Sequence, residues 1–495
     1  MADTKPIFQR SWAFRDGEEA ASASLSVTTY NVLAHCYIDS SFFPYCSPQS
    51  LDFSSRFTLL VEELYSQSSD IFLLQELDFF EQLSKALSPE WAGIYSKRTG
   101  SKTDGCAIFY RRSRFRPVAH GTLEYNAIPR SRKDFPVGRE SEHFWDYLRN
   151  NIGQLACLEW VGPAQACAPR ATPPPACESE LPRPTAATHA ALQRFHFAPV
   201  AAPAAGDEPK RLLFLGNTHL YWDPKCPDVK VEQARYLAWG MNCLRAEVMG
   251  RLHAAAPAAP ARPCFLDVGT VICGDTNTLP TLPAYGLLTT QGDAAALLPY
   301  YPPPAVPGAE FRPVGLPLRS AYREVLGREP PYTNFVAEFN GVRPPPPPAL
   351  PSSRAPPLLT CPSPPHVPLP SSRAPAPSPH ICAQTLDYIF YSRPRPVPPD
   401  WRRAMAGLVF DPCSAHLEPV AVLDLPPEAA LRAQTALPSE GFPSDHLSMR
   451  ALFRLAPTGH PAASPSPLAA SPSPLAASPS PLAVPQPPVA APASD

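Results

Sequence analysis

Four short polar clusters in this chain each adjoin an apolar, β-like run. VICGDTNTLP (Val271 to Pro280) carries Asp275 and Asn277, and GFPSDHLSMRALF (Gly441 to Phe453) carries Asp445 and His446. IFLLQE ends on Glu76, and TTYN ends on Asn31. Side chains alternate along an extended segment, so Asp-x-Asn places Asp275 and Asn277 on one side of it. Two converging oxygen donors suit a hard cation such as Mg²⁺, which prefers carboxylate and carbonyl ligands and keeps several waters. NTHLYWDPK places His219 just beyond another apolar run, and LDYIFYS supplies Asp387 at the edge of a further one. Asp387 could orient His446 through its second ring nitrogen.

Singly, these residues are weak signals. A lone Glu76 reads as a solvated carboxylate and a lone His219 as a structural histidine; the repeated placement gives them weight. The chain has no Gly-rich phosphate loop and no G-x-S-x-G nucleophile signature. Metal-assisted attack of water on a phosphate ester, with no covalent intermediate, fits the set best.

Positioning these groups at one rim requires a β-rich core. Strands are expected at Leu25–Val32, Asp70–Gln75, Gly105–Tyr110, Ile152–Trp160, Arg211–Thr218, Thr270–Cys273, Leu386–Tyr391 and Leu447–Phe453. Phe57, Leu60, Val61 and Leu64 recur at helical spacing within Ser54–Gln67. Asp78–Leu87 reads as a second helix. Val231–Leu252 reads as the longest, with Ala234, Leu237, Met241, Leu244 and Val248 along one face. Several strands are adjacent rather than alternating with helices, which predicts a layered α/β fold.

Composition sets the frame. Of 495 residues, 71 are proline, concentrated in Pro163–Pro209, Ala254–Pro263, Arg343–Ile381 and Pro457–Asp495. These stretches are too poor in packable apolar surface to offset chain entropy and are expected to be disordered. About 360 residues remain, enough for one large core. The tail repeats Ser-Pro-Ser-Pro-Leu-Ala-Ala from Ser464, and LPSSRAP occurs at Leu350 and at Leu369. Sequence drift explains such tracts, and so does docking of proline-reading domains. A net charge of −2 supplies no global field for nucleic acid, which leaves phosphate handling to a local site. Thirteen cysteines without a C-x-x-C pair read as reduced thiols. With no apolar run near the ~18 residues of a membrane span and an acidic N-terminus, the expectation is no membrane partner and a cytoplasmic location, a nuclear or organellar address remaining open.

TTYNVLA, IFLLQELD, RTGSKTDGCAIFYRRSRF, NNIGQLACLE, NTHLYWDPKCPDVKVEQ, VICGDTNTLP, LDYIFYS and FPSDHLSMRALF occur in this order. Together they resemble the endonuclease/exonuclease/phosphatase superfamily, in its carbon catabolite repressor type deadenylase, nocturnin and Angel branch. The resemblance implies a four-layer α/β sandwich: two packed mixed β-sheets flanked by helices, the site at the strand ends. It implies a catalytic domain over 25–456, after an N-terminal extension (1–24) and before a disordered tail (457–495), with inserts at 163–209, 254–263 and 343–381. It also implies roles. Glu76 is the principal ligand of Mg²⁺ (or Mn²⁺), with Asn31 beside it and Asp445 at a second metal position. Asp275 positions or deprotonates water, Asn277 contacts phosphate or metal, and His219 bonds the scissile phosphate. His446, oriented by Asp387, stabilises charge on its oxygens, and Phe339 stacks on a substrate base. The leucine-rich repeats of the namesake deadenylases have no counterpart here.

The function expected is a Mg²⁺-dependent 3′-exoribonuclease on single-stranded RNA, poly(A) first. The alternative is the same chemistry on 2′,5′-oligoadenylate, a nucleotide 2′-phosphate or a cyclic 2′,3′-phosphate end. A non-catalytic Pro-rich adaptor is the contrasting class, and the intact set of polar residues argues against it.

Overall fold

The computed structural model describes residues 10–128, 147–161, 195–199, 208–255, 264–289, 318–338, 380–392, 410–411 and 415–457. Phe339 and the Ser/Pro tail lie outside the described residues, as does nearly all of the insert at 343–381.

One sheet has the order Trp12–Phe14 (β1), Ala415–Leu423 (β16), Met449–Pro457 (β17), Leu25–Asn31 (β2), Ile71–Gln75 (β3), Gly105–Arg111 (β5) and Trp91–Lys97 (β4). The other runs Leu318–Ser320 (β11), Asp387–Ser392 (β14), Phe265–Asp275 (β10), Lys210–His219 (β9), Ile152–Trp160 (β7), Phe115–Glu124 (β6) and His196–Phe197 (β8). Phe410–Asp411 (β15) adds to the start of β10, and Asn334–Glu338 (β12) pairs His380–Gln384 (β13) in a separate ribbon. Both large sheets are mixed: β2 pairs β3 parallel and β17 antiparallel, and β10 pairs β9 parallel and β14 antiparallel.

The strand sequences are nearly continuous apolar runs because both faces are covered. In β3, Ile71 and Leu73 point into the space between the sheets, while Phe72 and Leu74 point outward. In β9, Leu213 and Leu215 point inward, and Leu212 and Phe214 outward. The outer face of the first sheet is covered by helices Phe53–Gln67 and Phe80–Leu87 through Leu60, Leu64, Leu83 and Leu87. Helix Pro227–Ala255 covers the second through Leu237, Met241, Leu244 and Val248. Four layers result, as the resemblance implies. Asp52 caps the first helix by accepting from the Ser55 amide, which is why it starts at Phe53.

Among the described residues nine strands were not anticipated, the longest being β4, β6 and β16. Pro117 and Pro419 break the alternating pattern of β6 and β16, and each sits at a register shift in its ladder. Proline is tolerated in strands at such bulges. The packed chain also reaches into stretches expected to be disordered. Phe195, within Pro163–Pro209, is buried against Gly121, and His196–Phe197 forms β8 beside β6. Helix Pro227–Ala255 enters the stretch at Ala254, and Ile381 pairs Ala337 in the ribbon. Phe195 packs into the outer core of the second sheet, and Ile381 packs against the cluster around Phe335.

Between the sheets, at the end where β2, β3, β9, β10 and β14 converge, the apolar filling gives way to amides. Asn217 donates to the carbonyls of Leu74 and Ala107, both at 3.0 Å across the sandwich. The Gln75 amide donates to Asn217 Oδ1 at 2.8 Å and to Thr29 Oγ1 at 3.1 Å. Beside them β9 and β10 approach closely at Gly274, where φ is +148° and a Cβ would collide with the Thr218 carbonyl. Only glycine fits such a contact. Gly274→Ala is therefore expected to destabilise the protein by about 3 kcal/mol or more. Urea denaturation measures this, and a wild-type midpoint would show that the two strands can part.

Candidate active site

The strand ends bring the chemistry together through register. Asn31 is opposite Gln75, so Glu76 follows directly on the neighbouring strand. Asp275 is opposite both His219 and Asp387 on its two neighbours. Met449, the first residue of β17, faces Thr29, which delivers the preceding Ser444–His446 segment to the same rim.

Three residues leave the strands in left-handed conformation: Leu33 (φ 55°), Glu76 (φ 54°) and Asn277 (φ 48°). For non-glycine residues this costs ~1–3 kcal/mol each and persists only where the surroundings impose it. They do so here. Asn31 Oδ1 accepts the Leu33 amide at 3.0 Å, and Arg56 donates to the carbonyls of Val32 (2.9 Å), Leu33 (2.5 Å) and Pro443 (2.7 Å). The buried Arg56 guanidinium thus ties the Asn31 loop to the loop carrying Asp445 and His446. Glu76 Oε2 accepts the Ala34 amide at 3.2 Å. The Asn277 amide donates to Asp275 Oδ1 at 2.9 Å, and its side chain to the Leu220 carbonyl at 3.2 Å. Asp275 and Asn277 converge through this turn, not along an extended strand as the Asp-x-Asn spacing suggested.

Asn31 Nδ2 bridges Glu76 Oε1 and Asp275 Oδ2, both at 3.0 Å. Asp275 Oδ2 also lies 3.6 Å from His219 Nε2 and 3.6 Å from His446 Nε2. His446 Nδ1 meets Asp387 Oδ2 at 2.8 Å, and the Thr333 hydroxyl donates to the same oxygen at 2.7 Å. His219 Nδ1 lies 3.8 Å from Glu76 Oε1. Asn31, Glu76, His219, Asp275, Asn277, Asp387 and His446 thus share one rim. Asp445 is half-buried beside them, its carbonyl held by the Phe335 amide and the Asn334 side chain.

The two histidines are driven to opposite states. Burial pushes His219 down to about 4, opposed by Asp275 and aided by Arg98 and His446. Burial would lower His446 as well, but Asp387, Asp275 and Asp445 hold it well above the ordinary histidine range. His219 is a neutral hydrogen-bonding ring and His446 a cation. Burial, with the charges of Asp445 and Asp104, pushes the Glu76 carboxyl up to about 7. A carboxyl so placed gains from a cation beside it.

The donors fit a hard divalent ion. Among the described residues Asp275, Asp387 and His446 have ligand atoms within 4.8 Å of one another. Asp387 and His446 are already committed to each other, however, and His446 carries a proton. Glu76 and Asp275 are the better pair, sharing the Asn31 bridge, with Asp445 at the mouth. Asn31 itself presents its amide nitrogen, its oxygen being held by Leu33.

Sequence reasoning missed several contributors. Arg56 sits within an amphipathic helix and reads there as part of its polar face. Thr333 and Asn334 follow a proline-rich run. Arg98, paired with Asp104 at 3.4 Å, and Lys102, 5.2 Å above the Tyr37 ring, both interact electrostatically with Glu76. Their signal was the run RTGSKTD, whose basic residues no periodicity marks. Asp387→Asn should keep the shape of the pair but remove the charge. The His446 imidazole is then expected to titrate well below its wild-type value, read from histidine resonances in an NMR titration; an unmoved value would show that Asp387 is not its main partner.

Comparison with known proteins places these residues in a family. The model of the "Endonuclease/Exonuclease/phosphatase family" matches residues 28–446. Over 432 residues the chain is 26% identical to "Carbon catabolite repressor protein 4 homolog 4" of Arabidopsis thaliana, covering 87% of this chain and 77% of that protein. It is 25% identical over 347 residues to "CCR4-NOT transcription complex subunit 6-like-B" of Xenopus laevis, covering 65% of this chain and 55% of that one. Among solved structures, "ANGEL2, a 2′,3′-cyclic phosphatase" with bound adenosine-2′,3′-vanadate shares the fold, with a TM-score of 0.50 and 19% identity over 91% of this chain and 99% of that one. The matched span begins in β2, just before Asn31, and ends on His446, so the chain belongs to the endonuclease/exonuclease/phosphatase family of hydrolases.

Proposed function

We propose that this protein is a Mg²⁺-dependent 3′-exoribonuclease that removes 5′-nucleotides from single-stranded RNA, poly(A) tails above all. One observation carries the reading. The Asp275 carboxylate stands 3.6 Å from His219 on one side and 3.6 Å from His446 on the other, with Glu76 beyond Asn31 and with Asp387 raising His446 while burial lowers His219. That arrangement supplies a base, a charge to receive a phosphorane, and a carboxylate for a cation, in one buried rim.

Glu76, with Asp275 and Asp445 nearby, would hold Mg²⁺, which when bound supplies charge neutralisation at a phosphoryl oxygen. Asp275 accepts the proton of the attacking water and holds that water in line. The phosphorus–oxygen bond to the upstream 3′-oxygen then breaks, leaving a 5′-phosphate on the released nucleotide. His446, kept charged by Asp387, stabilises the negative charge gathering on the non-bridging oxygens, and His219 and the Asn277 side chain donate to them. Arg98 and Lys102 favour approach of the polyanion. The likeness to the deadenylase branch favours RNA 3′ ends as substrate.

The deciding experiment offers the protein, with Mg²⁺ or with EDTA, labelled oligoadenylate, oligouridylate, 2′,5′-oligoadenylate, RNA with a 2′,3′-cyclic phosphate end, and NADP(H). The expected product is 5′-AMP from oligoadenylate, lost with EDTA. Turnover of the cyclic or 2′-phosphate substrates alone would overturn the exonuclease reading in favour of a phosphatase. Glu76→Ala should abolish turnover while the protein remains folded, and full Mg²⁺-dependent activity in that variant would remove Glu76 from the metal site. His446→Ala should lower kcat by about 10²–10³ with little change in KM; an equal rise in KM would make it a binding residue.

A further inference from the structure

Lys230 is a buried lysine, 2% exposed, that none of the steps above uses. It lies in the first turn of helix Pro227–Ala255, and its ammonium donates to the Asn277 carbonyl at 2.7 Å. Burying an ammonium is unfavourable unless hydrogen bonds hold it, and a neutral side chain of the same length would fill the space without that cost. The carbonyl it meets belongs to the left-handed residue of the site.

The same helical turn grips a second loop. Gln233, three residues on and therefore on the same face, accepts the Tyr221 amide at 2.9 Å and donates to Asn151 Oδ1 at 3.5 Å. Asn151 in turn donates to the His219 carbonyl at 2.9 Å. The two gripped loops interlock where the Asn277 side chain meets the Leu220 carbonyl and the Leu220 amide meets the Asp275 carbonyl at 2.9 Å.

We propose that Lys230 is a positioning residue for phosphoryl transfer. Its ammonium fixes the Asn277 peptide in the left-handed turn and so aims the Asn277 amide at the phosphate. The inference rests on the function proposed above, because Asn277 must touch phosphate for its aim to matter.

A double-mutant cycle separates this from mere packing. Asn277→Gly removes the amide while tolerating the left-handed backbone. Lys230→Met keeps the length and loses the donor. With oligoadenylate and Mg²⁺, Lys230→Met is expected to lower kcat about ten- to a hundredfold with KM nearly constant, and the double variant to match Asn277→Gly alone. Losses that multiply, or a wild-type kcat in Lys230→Met, would overturn the proposal. Should Lys230→Met fail to fold, Lys230→Gln, a shorter neutral donor, is expected to give an intermediate kcat and the same non-additivity. Hydrogen–deuterium exchange supplies a readout independent of turnover. The peptide spanning residues 276–279 should exchange faster in Lys230→Met while the β9 and β10 peptides do not. Unchanged exchange there refutes the positioning role even if no substrate is cleaved, whereas a wild type inert on every substrate refutes the exonuclease reading instead.

Discussion

Asn217 is the tie on which the site depends. An apolar sandwich fixes the separation of its sheets but resists sliding weakly, because hydrophobic contact is not directional. Asn217 adds direction. Its amide reaches from β9 to carbonyls of β3 and β5, and its oxygen takes the Gln75 amide. Each of these residues is adjacent, or nearly so, to a reactive one: Gln75 to Glu76, and Asn217 to His219 two positions on. A lateral slip of either sheet would break hydrogen bonds in a dry interior, where an unmade bond costs ~1–3 kcal/mol. The carboxylate of one sheet and the imidazole of the other are thereby kept in fixed relation.

Electrostatic division of labour is the second layer. His219 and His446 are equidistant from Asp275 Oδ2, yet only His446 has a dedicated carboxylate at its far nitrogen. Asp387, with Asp275 and Asp445, outweighs burial at His446 and raises it, whereas at His219 burial, aided by Arg98 and His446, outweighs Asp275 and lowers it. Pairs of titratable groups pushed apart by their surroundings are a recurrent means of assigning acid and base roles at one pH.

Much of this was legible in the chain, for physical reasons. Runs such as IFLLQ and LLFLGN are apolar on both faces, so they could only be interior strands, and polar residues at their ends had to lie on a rim. The amphipathic helices read equally well. What escaped notice depends on long-range contact. Pro117 and Pro419 hide strands because bulges accommodate them. Arg56 and Lys230 resemble surface charges on helices until the loops they hold are in place. Phe195 packs only because Gly121 leaves room for its ring. The turn at Asn277 also differed from the extended geometry that the spacing suggested, since a left-handed residue leaves no mark in an Asp-x-Asn pattern.

The pairing of β2 with β17 joins residues 25–29 to residues 449–453, and it bears on biosynthesis. β2 is central in its sheet and lacks one neighbour until β17, far along the chain, is made. A nascent chain therefore carries an unpaired β2 edge through more than four hundred residues of translation. Such edges recruit other strands. Asp445 and His446 immediately precede β17, so the rim that holds Asn31 and Glu76 is completed only when that distant segment joins it.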